Sequence, residues 1–239
     1  MAGRTVAAII LAIGAAVTGI ACLDVSLDIE DPPCSGEYRE ACLGAQHQLE
    51  PAASASCDGI GRRVCLAPIG FVNASIVTSL VEHYREQYGL NVTVLTPNSV
   101  PGDLAPQRNE QIDAISLIEY MGSLFPDAFA DPDAALIGLT PLDIYDQRSD
   151  FRFVFGVKGT LYDPKAVMST FRMNPETFFG GPDRELLLER TRKFLTRYIG
   201  LLYYGLEPSP DRDSPLYDNI LSLSDVDNLG EPLPVAPAR

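Results

Sequence analysis

Apolar residues divide the chain into three parts. Val6 to Val17 is an almost unbroken apolar run, and residues 23–61 are rich in Asp, Glu, Pro, Ala and Ser with weak periodicity. Apolar residues recur at regular steps only from Arg62 onward. Because a packed core needs such sustained periodicity, we expect a folded domain at residues 62–239. It follows an export segment at 1–21 and a tether with a cystine-containing segment at 22–61.

The folded domain begins with a strand, a helix and a second strand. Alternation within residues 62–71 predicts the first strand. Apolar steps of three and four between Asn73 and Gly89 predict a helix with Asn73 as its N-cap and Gly89 at its end. Residues 90–95 are the next strand. In such a βαβ unit the two strands run parallel and the crossover is right-handed.

The rest of the domain alternates in the same way. Residues 108–125 have the spacing of a second helix, and residues 134–145 read as a third strand. Residues 152–157 and 166–171 read as two short strands that form an edge hairpin. The pattern predicts an α+β fold with about five strands in one mixed twisted sheet.

The most regular apolar stripe lies between residues 181 and 208. Pro182 and Asp183 suit the first turn of a helix, whereas Gly205 and Pro208 suit its end. Residues three or four positions apart lie on one face of a helix, so this face should be buried. The stripe consists of Leu187, Thr191, Phe194, Tyr198 and Leu201.

This helix and the phrases around it resemble the archaemetzincin family of zinc peptidases. The shared phrases occur in the family's order from Leu66 to Asp227. They are Leu66–Gly70, Arg108–Leu117, Gly138–Tyr145, Phe153–Gly156, Val167–Arg172, Ser222–Leu223 and Asp225–Asp227. The resemblance implies a metzincin-like fold whose long helix is the one that carries the active site.

The resemblance also implies that the zinc site is degenerate. The family motif is HExxHxxGxxH, in which three His bind zinc and the Glu acts as general base. In the register anchored on Gly200, the ligand positions are Arg197, Leu201 and Glu207, and the base position is Tyr198. The motif's Gly falls at Tyr204, one residue before Gly205. The family's Met turn falls near Tyr217, and the cysteines of its second, structural zinc site are missing here.

These residue types cannot do the family's chemistry. Guanidinium stays protonated and Leu has no lone pair, so neither Arg197 nor Leu201 can bind a metal. Tyr198 is a poor base because the pKa of Tyr is about 10. We therefore expect no catalytic residue, no bound metal and no cofactor. Zinc is the cofactor only under the alternative, a metallopeptidase with unorthodox ligands.

Three further expectations concern the charged side chains near this site and the two histidines elsewhere in the chain. Arg197 and Glu207 either pair across the space that the metal left or both face water. The basic stripe of Arg190, Lys193 and Arg197 either pairs with nearby acids such as Glu189 or holds an acidic peptide. The two histidines, His47 and His83, are surrounded by polar residues, which indicates exposure to solvent.

Charge and cysteine content exclude some functions. The chain has 239 residues and a formal net charge of −14, which argues against a nucleic-acid partner because phosphates would be repelled. Cys34, Cys42, Cys57 and Cys65 are an even set that should form disulfides outside the cytoplasm. Three connectivities are open, and the equal spacing favours two local loops. A four-cysteine zinc site is the alternative, but no pair has CxxC spacing.

The first residues predict export and lipidation. Arg4 followed by an apolar run is typical of a signal peptide. Gly19-Ile20-Ala21-Cys22 resembles a bacterial lipobox, so Cys22 would become the lipid-bearing N-terminus of a membrane-anchored envelope protein. Without lipidation the protein would be secreted. The run is short for an uncleaved anchor, since a membrane span needs about 20 apolar residues.

Three functions remain open on the sequence. The leading hypothesis is a catalytically inactive archaemetzincin-like lipoprotein that binds a protein or peptide in the former cleft or has a structural role. The enzyme alternative is the zinc-dependent metallopeptidase described above. A third is a plain envelope lipoprotein whose groove is filled by Tyr203, Tyr204 and Tyr217.

Overall fold

The structure is a computed structural model that describes residues 53–104, 110–160, 163–178 and 180–235. The export segment, Cys22, Cys34, Cys42 and His47 lie outside these residues. Within the described residues, no helix combines the length and the apolar character needed to span a membrane.

Seven strands and five helices make up the described part of the chain. The strands are β1 Arg63–Pro68, β2 Val92–Val94, β3 Ile112–Asp113, β4 Ala134–Thr140, β5 Ile144–Tyr145, β6 Gly156–Lys158 and β7 Lys165–Ser169. The helices are α1 Ala74–Tyr88, α2 Ala114–Leu124, α3 Pro126–Ala130, α4 Arg184–Leu202 and α5 Leu223–Asp227. Short 3-10 turns lie at Gly102–Leu104, Phe171–Met173 and Pro175–Phe178.

Five strands form one mixed sheet in the order β2-β1-β4-β7-β6. The first four strands are parallel to their neighbours, and β6 runs antiparallel to β7 at the edge. Strands β3 and β5 form a separate parallel pair. The predicted mixed sheet of about five strands with an edge hairpin is therefore confirmed.

The opening βαβ unit follows the predicted boundaries closely. Asn73 caps α1, because its side chain accepts a hydrogen bond from the Ser75 amide at 2.9 Å. Gly89 ends the helix at φ 62°, a left-handed conformation that glycine adopts without steric cost. Strand β2 then returns parallel to β1, with Val64 opposite Val92.

The sheet is buried on both faces. Val64 and Leu66 of β1 pack into the core with α1 and α4, whereas Cys65 and Ala67 pack into the core with α2. All seven residues of β4 are buried. Burial on both faces explains why the central strands read as continuous apolar runs.

Two element boundaries differ from the sequence prediction. Helix α2 begins at Ala114 rather than near Arg108, because Ile112 pairs with Ile144 in a short strand and Asp113 caps the helix. Strand β6 begins at Gly156 rather than at Arg152. Pairing with β5 decided the first boundary and pairing with β7 the second; local periodicity determined neither.

A disulfide joins Cys57 to Cys65, with 6.0 Å between their Cα atoms. This is one of the two local loops that the cysteine spacing favours. It connects the segment before the domain directly to the central strand β1.

Helix α4 is fixed to α1 by a buried tyrosine. The Tyr84 hydroxyl lies 3.0 Å from the Arg192 carbonyl oxygen and 3.0 Å from the Thr196 hydroxyl. Tyr84 is fully buried, and burial raises its pKa far above the ordinary value. This contact sets the position of α4 against the sheet.

Candidate functional site

Helix α4 carries the candidate site and has well-defined ends. The Asp183 carboxylate accepts a hydrogen bond from the Leu186 amide at 2.9 Å, which caps its first turn. At the other end Gly205 adopts φ 67°, and the Leu206 amide donates to the Gly200 carbonyl at 2.9 Å. The chain therefore turns sharply just after the helix.

This turn brings all four motif positions to one cleft. The cleft has a volume of about 900 Å³, and α4 with the turn after it forms one wall. Strand β6 with the residues before it, and the loop from Asp218 to Leu221, provide the rest of the lining. The lining residues from α4 and the turn are Phe194, Arg197, Tyr198, Leu201, Gly205, Leu206, Glu207 and Pro208.

The turn glycine is Gly205, whereas the ungapped register puts Tyr204 in that place. In the motif the third His lies three residues after the Gly. If Gly205 is that Gly, the third ligand position is Pro208 rather than Glu207. Both residues line the cleft. Proline has no side-chain donor, so this one-residue shift leaves the third position no better suited to a metal.

Arg197 does not pair with Glu207. Its Nε donates to the Tyr217 carbonyl oxygen at 2.9 Å. None of the ion pairs within 4.0 Å among the described residues includes either side chain. The described residues thus show no close ion pair between Arg197 and Glu207, and a backbone carbonyl accepts a hydrogen bond from the guanidinium Nε instead.

Tyr198 points into the protein rather than into solvent. It is 2% exposed, and its ring packs edge to face on Phe194 at a centroid distance of 5.4 Å. Its hydroxyl lies beside Gly156, where an added Cβ would approach within 2.6 Å of that oxygen. Burial raises the pKa of Tyr198 far above the ordinary value. The phenol therefore stays protonated at neutral pH and cannot act as a base.

The side chains at the ligand positions do not suit zinc. Zinc in proteins takes imidazole, thiolate and carboxylate ligands. Of Arg197, Leu201 and Glu207, only the last offers such a group. No group of three or more His, Cys, Asp or Glu side chains within the described residues has the geometry of a metal site. The chain's own chemistry therefore disagrees with a metal held at this position.

The three tyrosines do not fill the groove. Tyr203 and Tyr204 pack against each other edge to face, with ring centroids 4.8 Å apart, and both contact the core. Tyr217 is buried beneath the loop, and none of the three lines the cleft. The groove stays open, which removes the main argument for a protein without cleft function.

The basic stripe on α4 divides into paired and unpaired members. Arg190 forms two hydrogen bonds with the Asp227 carboxylate, at 2.6 and 2.9 Å. Lys193 pairs with Glu189 at 2.8 Å. Arg190 and Lys193 therefore pair with nearby acids, and of the three stripe residues only Arg197 lines the cleft.

His83 is not the solvent-facing residue that its neighbours in sequence indicate. Its Nε2 is buried without a hydrogen-bond partner, and its ring packs edge to face on Tyr84 and Tyr88. Burial first, and the nearby Arg192 second, lower its pKa. Both ring partners lie on α1 itself, so the aromatic side chains of this helix cover one side of the imidazole.

The sequence did not identify the cleft residues that lie outside α4 and the turn after it. They include the exposed Phe151, the exposed Arg152 and those of the edge strand β6. The available signal was the shared phrase Phe153–Gly156, which places this segment near the site in the family that the chain resembles.

Comparisons with known proteins agree with this architecture. No protein-family model matches the sequence. The archaemetzincin of Methanocaldococcus jannaschii is 25% identical over 140 residues, covering 58% of this chain and 70% of the relative. That of Pyrococcus furiosus is 27% identical over 153 residues, covering 62% and 76% respectively.

Solved structures share the fold. A zinc-dependent peptidase from Methanocorpusculum labreanum superposes with a TM-score of 0.57 at 20% identity, covering 71% of this chain and 95% of that one. The archaemetzincin of Methanopyrus kandleri gives a TM-score of 0.54 at 27% identity, covering 73% and 91%. Sequence and fold together support an archaemetzincin-like zinc-peptidase family for this chain.

Proposed function

We propose that this protein is a non-hydrolytic archaemetzincin-like lipoprotein that uses the open cleft to bind a protein or peptide. It retains the fold of a peptidase family and the cleft in which that family's motif lies. It lacks the side chains that would hold the metal and accept the proton.

One observation carries the proposal. The four motif positions meet at the cleft as Arg197, Tyr198, Leu201 and Glu207. Arg197 bonds to a backbone carbonyl, and Tyr198 is buried in the core. Arg197 and Tyr198 are thus both held by contacts around the cleft, which supports a site that is stable without a metal.

Metal analysis tests the loss of catalysis. The full-length chain, equilibrated with one equivalent of zinc and then desalted, should retain far less than one zinc ion per chain. It should also leave a quenched-fluorescence peptide mixture uncut. Stoichiometric zinc together with peptide cleavage would establish the metallopeptidase alternative instead.

A variant provides the matched control for this measurement. Arg197→His, Leu201→His and Glu207→His combined would restore three imidazoles at the converging positions. Imidazole is a preferred zinc ligand, so this variant should retain more zinc than the parent. Equal retention by both proteins would mean that the three positions do not converge closely enough for one ion.

The location of the protein is a second part of the proposal. The motif before Cys22 supports a lipid anchor, and the cysteine content supports an oxidising compartment. In a bacterial host, the mature chain should begin at Cys22 with a mass increase from acyl chains and should sediment with membranes. Cys22→Ala should appear in the soluble fraction, and an unmodified Cys22 in the parent would contradict the anchor.

A further inference from the structure

The terminal nitrogens of Arg197 have no partner in the described part of the chain. The other basic residues of α4 all use theirs. Arg184 donates to Ser75 and Ser79, and Arg192 pairs with Glu231 at 2.8 Å. Arg190 and Lys193 are paired as described above. Arg197 is thus the cation of this helix that is left for the cleft.

The guanidinium of Arg197 is already oriented. Its Nε is tied to the Tyr217 carbonyl, and its Cζ lies 5.8 Å from the Tyr198 ring centroid. The half-buried side chain lines the cleft, and among the described residues its Nη1 and Nη2 groups stay free for a ligand there. These groups form a planar pair of donors that matches the two oxygens of a carboxylate.

The charges around Arg197 are mixed but favour an anion near it. Arg152 and Lys158 also line the cleft, and neither forms an ion pair with another described residue. Arg148 is paired with Asp146 at 3.0 Å. The remaining carboxylates are Glu207 and Asp218, which are exposed at the rim. A half-buried cation attracts an anion more strongly than exposed groups repel it, because water screens the exposed groups.

Apolar groups and an edge strand complete the cleft. Phe151 and Leu221 are 56% and 54% exposed, although such side chains are usually covered. Strand β6 pairs with β7 on one side only, and Arg148 donates to the carbonyls of Lys158 and Gly159 at its end. An extended chain thus has apolar contacts and backbone partners near Gly156.

We infer that the cleft binds an extended peptide whose carboxylate group pairs with the Nη1–Nη2 end of Arg197. Apolar side chains of the same peptide would lie against Phe151 and Leu221. This inference rests on the proposed binding function and specifies the ligand. The carboxylate comes either from an Asp or Glu side chain or from the peptide's C-terminus.

Three small peptides test this inference against the full-length chain in the presence of EDTA. They are acetyl-Leu-Ala-Leu with a free C-terminus, the same peptide as an amide, and acetyl-Leu-Glu-Leu amide. Calorimetric titration at low salt should show one carboxylate peptide binding about tenfold or more tightly than the neutral amide, the size of a charged hydrogen bond. The carboxylate peptide that binds more tightly identifies the source of the carboxylate.

Variants assign the effect to Arg197. Arg197→Gln should remove the preference for the carboxylate peptide, and Arg197→Lys should keep only part of it because the planar fork is lost. Arg85→Gln is the control for net charge, since Arg85 is exposed on α1 away from the cleft. It should bind all three peptides as the parent does. Thermal unfolding of each variant should show that it is folded.

The outcomes separate this inference from the proposed function. Equal binding of all three peptides, or no binding of any, would overturn the inference. The proposed loss of catalysis would still stand as long as the chain retains no zinc and cleaves no peptide. A carboxylate preference that persists in Arg197→Gln would also overturn it. Zinc retention with cleavage in the absence of EDTA would overturn the proposed function instead, whatever the peptide preference.

Discussion

Tyr198 shows how one residue shapes the packing beside the cleft. At a position where the family has a general base, this chain has a phenol that faces the edge strand. The ring fits because Gly156 has no side chain. The buried aromatic ring adds apolar area to the core beside the cleft.

We expect Gly156→Ala to disturb this packing. A Cβ there would lie 2.6 Å from the Tyr198 hydroxyl and 2.8 Å from the Val167 carbonyl oxygen, and the backbone oxygen cannot move cheaply. The free energy of unfolding should fall by about 1–3 kcal/mol, as for other overpacked cores. Urea denaturation measures it. Gly181→Ala, with no atom within 4 Å of its added Cβ, is the control and should change little.

Helix α5 shows how a short element next to the cleft is held in place. Ser222 caps it, and the Asp225 carboxylate accepts from the Ser222 hydroxyl at 2.7 Å and from the Ser222 amide at 2.9 Å. Arg212 adds an ion pair at 2.5 Å. This reciprocal cap fixes the loop that contributes Asp218 and Leu221 to the cleft. A helix of this length would not form alone.

We expect the stabilisation by Asp225 to depend on pH. Its hydrogen bonds, first from Ser222 and then from Arg212, lower its pKa from 3.8 to about 2. The carboxylate therefore stabilises the fold fully above the unfolded-state pKa, and this contribution is lost as the pH falls from about 4 toward 2. Asp225→Asn should lower the free energy of unfolding at pH 7 by about 1–3 kcal/mol.

The difference in the free energy of unfolding between the parent and Asp225→Asn should shrink as the pH falls from about 4 toward 2. Parallel urea titrations of parent and variant from pH 7 down to pH 2 measure the difference. Asp211→Asn is a suitable control because Asp211 is exposed and has no ion-pair partner among the described residues, and an Asn oxygen can still accept from the Asp213 amide. A deficit for Asp225→Asn that stayed constant down to pH 2 would contradict the role assigned to the carboxylate.

At the scale of the whole molecule, packing on both faces of the sheet and a disulfide hold the fold together. The two cores on either side of the sheet supply the main stabilisation. The Cys57–Cys65 disulfide ties the segment before the domain to its central strand. A cross-link of this kind stabilises mainly by restricting the unfolded chain.

We expect reduction of this disulfide to lower stability by about 2–3 kcal/mol, given the short loop it closes. The measurement is urea unfolding with and without reductant in a chain carrying Cys34→Ala and Cys42→Ala, so that only one disulfide remains. Adding Cys57→Ala and Cys65→Ala provides the control, which reductant should leave unchanged. An identical midpoint before and after reduction of the first protein would contradict the expectation.

The sequence by itself determined the elements whose signals are local. Asn73 and Gly89 bound α1, and Asp183 begins α4, because each cap acts on backbone groups within a few residues. The central strands could also be predicted, since burial on both faces requires continuous apolar runs. The register that the family resemblance implies located cleft residues as well: Arg197 and Leu201 lie one helical turn apart on α4, and Glu207 lies in the turn that follows.

Only the tertiary structure decided what those residues do. Arg197 bonds to Tyr217, 20 positions away in sequence, rather than to Glu207. Tyr84 reaches across from α1 to the Arg192 carbonyl and the Thr196 hydroxyl of α4, and β3 forms because Ile112 pairs with Ile144. Such contacts join segments that are far apart in the chain, so their energies leave no mark on local periodicity. The open cleft is also decided by contacts between distant segments, because it depends on where the loop around Tyr217 packs.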